Sequence, residues 1–256
     1  MSRRGSEARA GFLLALQFLT RLPVPDPGWT PERFAASTRW HPAAGALIGA
    51  LVGAVWWAAA ALFPPLVAVL AATAAGLWLT GCFHEDGFAD ACDGLGGAVT
   101  RERALEIMKD SRIGTYGAAG LGMMLAGRVA VLVALVPVAP VFWVLVAGHA
   151  ASRAASVHVI ATSAYVREHG TGKPVADGIG RDGLRFALLT GGAALLPLVP
   201  ALGLLAPLAG LAGLALGTWA MRRVYERRLG GYTGDCLGAT QQCAEIGFYL
   251  GLLAWL

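Results

Sequence analysis

Seven apolar stretches divide this chain, and nothing else in the sequence constrains the fold as strongly. They lie at roughly 43–62, 66–82, 116–136, 139–160, 185–200, 203–221 and 237–256. A helix needs about 20 apolar residues to cross a bilayer, and most of these stretches come close to that. Composition agrees: of 256 residues 56% are hydrophobic and 14% charged, against roughly 25% charged in soluble domains. The sequence predicts an all-α fold, a polytopic transmembrane helical bundle of about 6–7 spans. Pro197, Pro200 and Pro207 blur the boundary between the fifth and sixth stretches, which leaves the count open by one.

Charge placement orients such a bundle. The 20 Lys and Arg fall in the N-terminal segment, in the stretches 22–42, 101–112, 167–185 and 222–228, or at two positions inside apolar runs. The alternate connections, around Phe63-Pro64-Pro65, Pro137–Pro140 and Pro197–Pro207, carry no charge. By the positive-inside rule the charged loops are cytoplasmic and the proline turns face outward. Residues 43–221 then form three hairpins followed by a final span. The net charge of +4 follows from this bias and requires no nucleic-acid partner.

Near the N-terminus, Ser2-Arg3-Arg4 ahead of GFLLALQFLT resembles a secretory signal. However, Arg21 and then Pro23, Pro25 and Pro27 stand where a cleavage site would need small residues. Residues 10–21 are instead expected to form a helix lying in the interface on its apolar face. Cys82, Cys92, Cys236 and Cys243 make no CxxC pair and are expected as buried small hydrophobes. The chain is predicted as a single integral-membrane domain over 1–256, with a cytoplasmic or interfacial segment at 1–42 and an acidic catalytic loop at 83–115. The three hairpins share a layout but no repeated motif.

The acidic stretch FHEDGFADACDGLGG carries the most chemistry. Asp86, Asp90 and Asp93 are spaced i, i+4, i+7, so on a helix their carboxylates fall within about 60° of one another. Like charges that close repel, and a cation relieves the repulsion. With Glu85 beside them and no Cys–His framework nearby, this oxygen-rich set favours Mg²⁺ or another hard divalent ion. An ordinary solvated acidic loop would not need the shared face, nor the closing Gly94, Gly96 and Gly97. His84 points away from the aspartate face and is read as a supporting residue.

Downstream, Lys109-Asp110-Ser111-Arg112 leads into Gly114-Thr115-Tyr116-Gly117. Basic side chains beside the free amides of a helix start suit a phosphate or diphosphate. A positive-inside flank would explain Lys109 or Arg112 taken singly, but not Ser111 and Thr115 with them. Asp235 opens the last apolar stretch, where a helix dipole favours a carboxylate. Glu245 follows roughly 15 Å deeper along that helix. Arg128 stands about 18 Å into the third stretch, and Arg153 lies one turn from His149 in the fourth. Charges at such depth are costly unless paired or in water. Ion pairing within the bundle and a polar cavity that admits an anionic substrate both remain open readings.

Together these residues resemble the cobalamin synthase family, the adenosylcobinamide-GDP ribazoletransferases. The matching segments are ALQFLTRLPVP (15–25), FHEDGFADACDG (83–94), RALEIMKDSRIGTYG (103–117) and GGYTGDCLGA followed by Glu245 (230–245). They span most of the chain, and the pairing of the second and third is highly specific. Phe88, Cys92 and His41 depart mildly from the family pattern, and no charged motif residue is lost. The resemblance implies a Mg²⁺-dependent transferase of late cobalamin biosynthesis in the bacterial cytoplasmic (inner) membrane. It would join adenosylcobinamide-GDP to α-ribazole or its 5′-phosphate and release GMP. On that basis Asp86, Asp90 and Asp93 hold Mg²⁺ on the diphosphate, Lys109 and Arg112 take phosphate charge, and Asp235 is a second metal ligand or a base.

Its partners would be these substrates and the lipid bilayer, and a homo-oligomer is compatible with the sequence. A weaker likeness links the acidic motif to CDP-alcohol phosphotransferases, although the later G-x₃-D-x₃-D of that family is missing. Intramembrane charges also suit a transporter. A transporter, however, would place its polar residues near the midplane, whereas here they crowd one end.

Overall fold

The computed structural model describes residues 3–167 and 179–256. Most of the charged stretch 167–185 lies outside them, as do Met1 and Ser2. Among the described residues the regular structure is helical, with no strand and one isolated bridge between Tyr165 and Tyr232. In chain order the helices are α1 (Arg3–Leu19), α2 (Pro31–Ser37), α3 (His41–Ala60), α4 (Pro65–Thr80), α5 (Phe83–Gly97) and α6 (Arg101–Ile107). They are followed by α7 (Thr115–Leu135), α8 (Val141–Thr162), α9 (Arg181–Ala193), α10 (Leu205–Leu229) and α11 (Gly234–Trp255). Short helical turns carry α9 on to Leu202.

Among the described residues, four helical segments are long and apolar enough to cross a membrane: Pro31–Ala60, Thr115–Leu135, Val141–Thr162 and Arg181–Leu202. Counting the bent pair α4–α5 as one crossing makes five. The stretches expected at 203–221 and 237–256 do form helices, α10 and α11. They fall outside that set because Arg222 and Arg223 close the apolar part of α10, while Gln241, Gln242 and Glu245 interrupt α11. Of the three expected hairpins, α3–α4 packs as one; α7–α8 and α9–α10 are consecutive across turns at or beside prolines, but each of these helices packs chiefly on other partners. As a result the starts of α3, α7, α9 and α11 share one end of the bundle with the ends of α4, α8 and α10.

Lipid tails are as apolar as leucine, so helices in a membrane associate through close packing rather than hydrophobic exclusion. Small residues supply it here. Gly45, Gly49 and Gly53, four apart on α3, face His149, Leu145 and Phe142 of α8. An added Cβ at Gly49 would sit 2.6 Å from the Leu145 carbonyl oxygen. A second seam joins α10 to α11. Gly213 meets the backbone at Gly247, Gly217 meets it at Cys243, and Gly251 meets it at Ala209, each without room for a methyl group. Around these seams Leu16, Leu19, Ile48, Val52, Leu132, Leu135 and Leu145 form the main apolar core.

The expected helix at 10–21 starts earlier and stops at Leu19, where Thr20 Oγ1 donates to the Leu16 carbonyl at 2.7 Å. Its Leu14, Ala15, Leu16 and Leu19 are buried, so its apolar face docks on the bundle itself. The corner between α4 and α5 is made by two consecutive left-handed residues, Gly81 (φ 65°) and Cys82 (φ 59°). There α5 turns by 88° from α4. The cysteines are all free thiols, and the expectation of burial holds only in part. Cys236 is buried and Cys92 and Cys243 half-buried, but Cys82 is exposed because it forms the corner.

Candidate active site

The acidic segment is a helix for most of its length, since Phe83–Gly97 is α5. Glu85 and Asp86 in its first turn face the positive end of the helix dipole, a favourable placement for anions. What brings α5 to the last helix is a pair of glycines. A Cβ on Gly87 would lie 3.0 Å from Asp235 Cα, and one on Gly238 would lie 2.9 Å from the His84 carbonyl oxygen. This approach puts Asp86 and Asp235 on the wall of one cavity of about 280 Å³. Asp90 lies one turn along from Asp86, half-buried. Burial, then the charges of Asp235 and Asp86, raise its carboxyl to a pKa of about 7. Burial also raises Asp235, with Arg167 opposing.

Arg167 was legible in the sequence only as one member of a charged flank. Its Nη2 donates to Asp235 Oδ2 at 2.7 Å and also lies 3.5 Å from the Met108 carbonyl oxygen. Thr233, the N-cap of α11, adds a 3.3 Å hydrogen bond from Oγ1 to the same Asp235 oxygen. The bridge between Tyr165 and Tyr232 holds the two backbones that carry this pair.

The other two proposed metal ligands are engaged by other partners. Asp93 accepts from the backbone amides of Gly114 at 2.7 Å and Gly117 at 2.8 Å, one through each carboxylate oxygen. It thereby fills the helix start that the sequence offered to a phosphate. Glu85 turns into the bundle, where Arg128 Nη2 and Gln242 Nε2 donate to its Oε1 at 3.1 and 3.0 Å. Among the described residues no three or more His, Cys, Asp or Glu side chains are placed to hold a metal by themselves. The donor chemistry still fits Mg²⁺, which commonly takes one or two carboxylates and completes its octahedron with water and substrate phosphate. Asp86, Asp90 and Asp235 offer only hard oxygen.

In the basic segment Lys109, Ser111, Arg112 and Thr115 are exposed. Arg112 is already paired, its Nη2 lying 2.6 Å from Asp110 Oδ2, and that guanidinium holds the Asp110 carboxyl at about 2. Lys109 follows Met108, whose sulfur lies 3.9 Å from Thr233 Oγ1, so the segment packs beside Asp235.

The intramembrane charges come together as the pairing reading expects. Arg128 contacts Glu85 and, at 3.8 Å, Glu245; Gln242 also accepts from Arg128. Glu245 accepts from Gln241 at 2.6 Å and lies 3.4 Å from His149 Nδ1. Arg153 Nη1 donates to the His149 carbonyl at 2.9 Å. The network surrounds a void of about 20 Å³, enough for about one water. Pairing therefore stabilises these charges, while Arg153 also lines the larger cavity. Two consecutive glutamines inside an apolar run were the sequence signal for the extra members, Gln241 and Gln242.

Fold and site together define a membrane-type helical bundle with a carboxylate-lined cavity at one end, backed by a buried charge network. The chain belongs to the cobalamin-5-phosphate synthase family, whose model matches residues 11–253. It is 49% identical to the adenosylcobinamide-GDP ribazoletransferase of Leptothrix cholodnii, covering 97% of this chain and 96% of that protein. The proteins of the same name from Ralstonia nicotianae and Vibrio parahaemolyticus are 42% and 41% identical. Those matches cover 97% and 95% of this chain, and 96% and 92% of theirs. No solved structure matches the chain.

Proposed function

We propose that this protein is an adenosylcobinamide-GDP ribazoletransferase, joining adenosylcobinamide-GDP to α-ribazole or its 5′-phosphate with release of GMP. The observation that carries the proposal is the convergence of Asp86 and Asp235 with Arg167 at a cavity sized for a nucleoside, with Asp90 near enough to feel the charge of all three. The acceptor hydroxyl oxygen bonds to the phosphorus that carries cobinamide, and the bond from that phosphorus to the GMP oxygen breaks. Arg167 ties down one oxygen of Asp235 and so orients the carboxylate to take the hydroxyl proton. Burial raises the affinity of Asp235 for that proton. Lys109, exposed next to Met108 on the segment that packs against Thr233, takes charge from the departing phosphate, and Arg112 is released to it if the Asp110 pair opens. Asp86 and Asp90 would hold Mg²⁺, which when bound neutralises the diphosphate. Transfer of this kind asks little covalent work of a protein, so positioning and electrostatics dominate.

We place α10 and α11 across the bilayer as well, giving six to seven crossings with the site on the cytoplasmic side of the bacterial inner membrane. The charge-free turns at the opposite end of the bundle support this orientation. The test is GMP release by the purified protein in lipid, given both substrates with Mg²⁺ or with EDTA. The expected outcome is metal-dependent GMP together with a corrinoid product. Absence of product with verified substrates would overturn the assignment.

A further inference from the structure

We infer that the deep part of the same cavity is the seat for the heteroaromatic base of the acceptor nucleoside, with Phe18, His41 and Arg153 as specificity-determining residues. The inference rests on the transferase reading and goes beyond it by assigning one substrate to one set of walls. The mouth of the cavity carries Asp86, Asp235 and Arg167, while its inner wall is different in kind. Phe18 of α1 stacks on the His41 ring at 5.7 Å and 22°, and meets Phe83 edge-on at 5.0 Å. Ile160 and Leu19 complete the apolar surface. Flat apolar walls of this kind bind planar rings by stacking and area burial.

Two polar groups are set into that wall without a partner. His41 is 6% exposed and Arg153 is 2% exposed. Among the described residues neither His41 Nε2 nor Arg153 Nε has a hydrogen bond. A buried polar atom left unpaired is costly, and a ligand seated against these two side chains relieves that cost once they turn toward it. Arginine Nε can only donate. The matching ligand is therefore a largely apolar fused ring with one in-plane acceptor nitrogen, which describes the benzimidazole of α-ribazole. Guanine fits less well, because its O6, N1 and N2 edge needs several polar partners at once, and a largely apolar wall leaves part of that edge unpaired. With the base seated inside, the ribose points back to the mouth, where its hydroxyl meets Asp235.

The test measures both Michaelis constants by GMP release, using the wild-type protein and the variants Phe18→Leu and His41→Gln. Each variant is expected to raise KM for α-ribazole about tenfold, the effect of losing one stacking or hydrogen-bond partner. KM for adenosylcobinamide-GDP and kcat should stay within about twofold of wild type, a split that a general structural defect would not produce. A rise in the donor KM instead would seat guanine there and overturn the inference, as would unchanged acceptor KM in both variants. A second arm needs no variant. Free benzimidazole should compete with α-ribazole but not with the GDP-corrinoid, and indole, which lacks the acceptor nitrogen, should inhibit about tenfold more weakly. Equal inhibition by the two, or competition against the GDP-corrinoid, would also overturn it. A wild-type protein that releases no GMP would instead fail the transferase reading, and direct binding of α-ribazole would then test the pocket alone.

Discussion

Asp86, Asp90 and Asp93 are chemically identical and share a helical face, yet their surroundings give them different roles. Asp93 spends both oxygens on the first amides of α7, and Asp93→Ala should therefore cost about 1–2 kcal/mol of stability, as loss of a helix cap does. Asp86 is exposed and makes no ion pair among the described residues, so Asp86→Asn should end turnover with thermal stability unchanged. Parallel melting and GMP assays on the two variants separate the roles, and matching melting points would count against the division. Asp90 gives a pH signature. Its carboxyl, raised to about 7 by burial and like charge, must be ionised to take a metal, so apparent Mg²⁺ affinity should fall as pH drops below 7. The raised acid also means that its ionised form opposes folding above that pH, so Asp90→Asn should leave the metal-free protein at least as stable at pH 8. Mg²⁺ titrations at pH 6 and 8, with melts of the metal-free variant, check both. The shared face was legible from spacing alone. The engagement of Asp93 was not, because it depends on where α7 begins in space.

Most helices were legible because each follows from one apolar run of sufficient length. The 88° corner was not, since two left-handed residues in Gly81 and Cys82 leave no pattern that differs from an ordinary helix end. The corner matters because it swings α5 against α11 at Gly87 and Gly238. Gly238→Val should separate the two helices and lower turnover far more than an equally bulky change at Gly192, which has open space around it. Similar losses at both positions would remove the role of the crossing. Glu85, placed among the metal ligands on sequence grounds, is instead the link from α5 to α7 through Arg128. Arg128→Met leaves Glu85 and Glu245 as buried carboxylates short of a partner. About 3–5 kcal/mol of destabilisation is the usual size for such a loss, measurable by denaturation in detergent, and an unchanged melt would show that the pair is dispensable.

At the scale of the molecule, every group assigned to chemistry lies at the end of the bundle where the charged loops gather, and the opposite turns carry no charge. The alternation of charged and proline-rich connections made that polarity legible before any helix was placed. The sequence could not show which loops approach one another, because Arg167 and Asp235 are 68 residues apart and meet through tertiary packing. If Mg²⁺ joins α5 to the diphosphate, adding the metal with adenosylcobinamide-GDP should raise the melting temperature more than either alone. Additive shifts would argue for separate sites.

The glycine seam between α10 and α11 has a consequence for how this chain can evolve. Gly213, Gly217, Gly247 and Gly251 have no space for a side chain, and α11 carries Asp235 about 18 Å along the axis from Gly247. Any larger residue in the seam must be absorbed by sliding or tilting α11, and a slip of one turn moves Asp235 by about 5 Å. That is farther than its 2.7 Å bond to Arg167 can stretch. Mutations at these four glycines, far from the substrates, therefore carry the same selective penalty as mutations in the site itself. Neutral drift is left to outward-facing positions such as Leu216 and Trp219, where exchange of one apolar side chain for another leaves the register of α11 untouched.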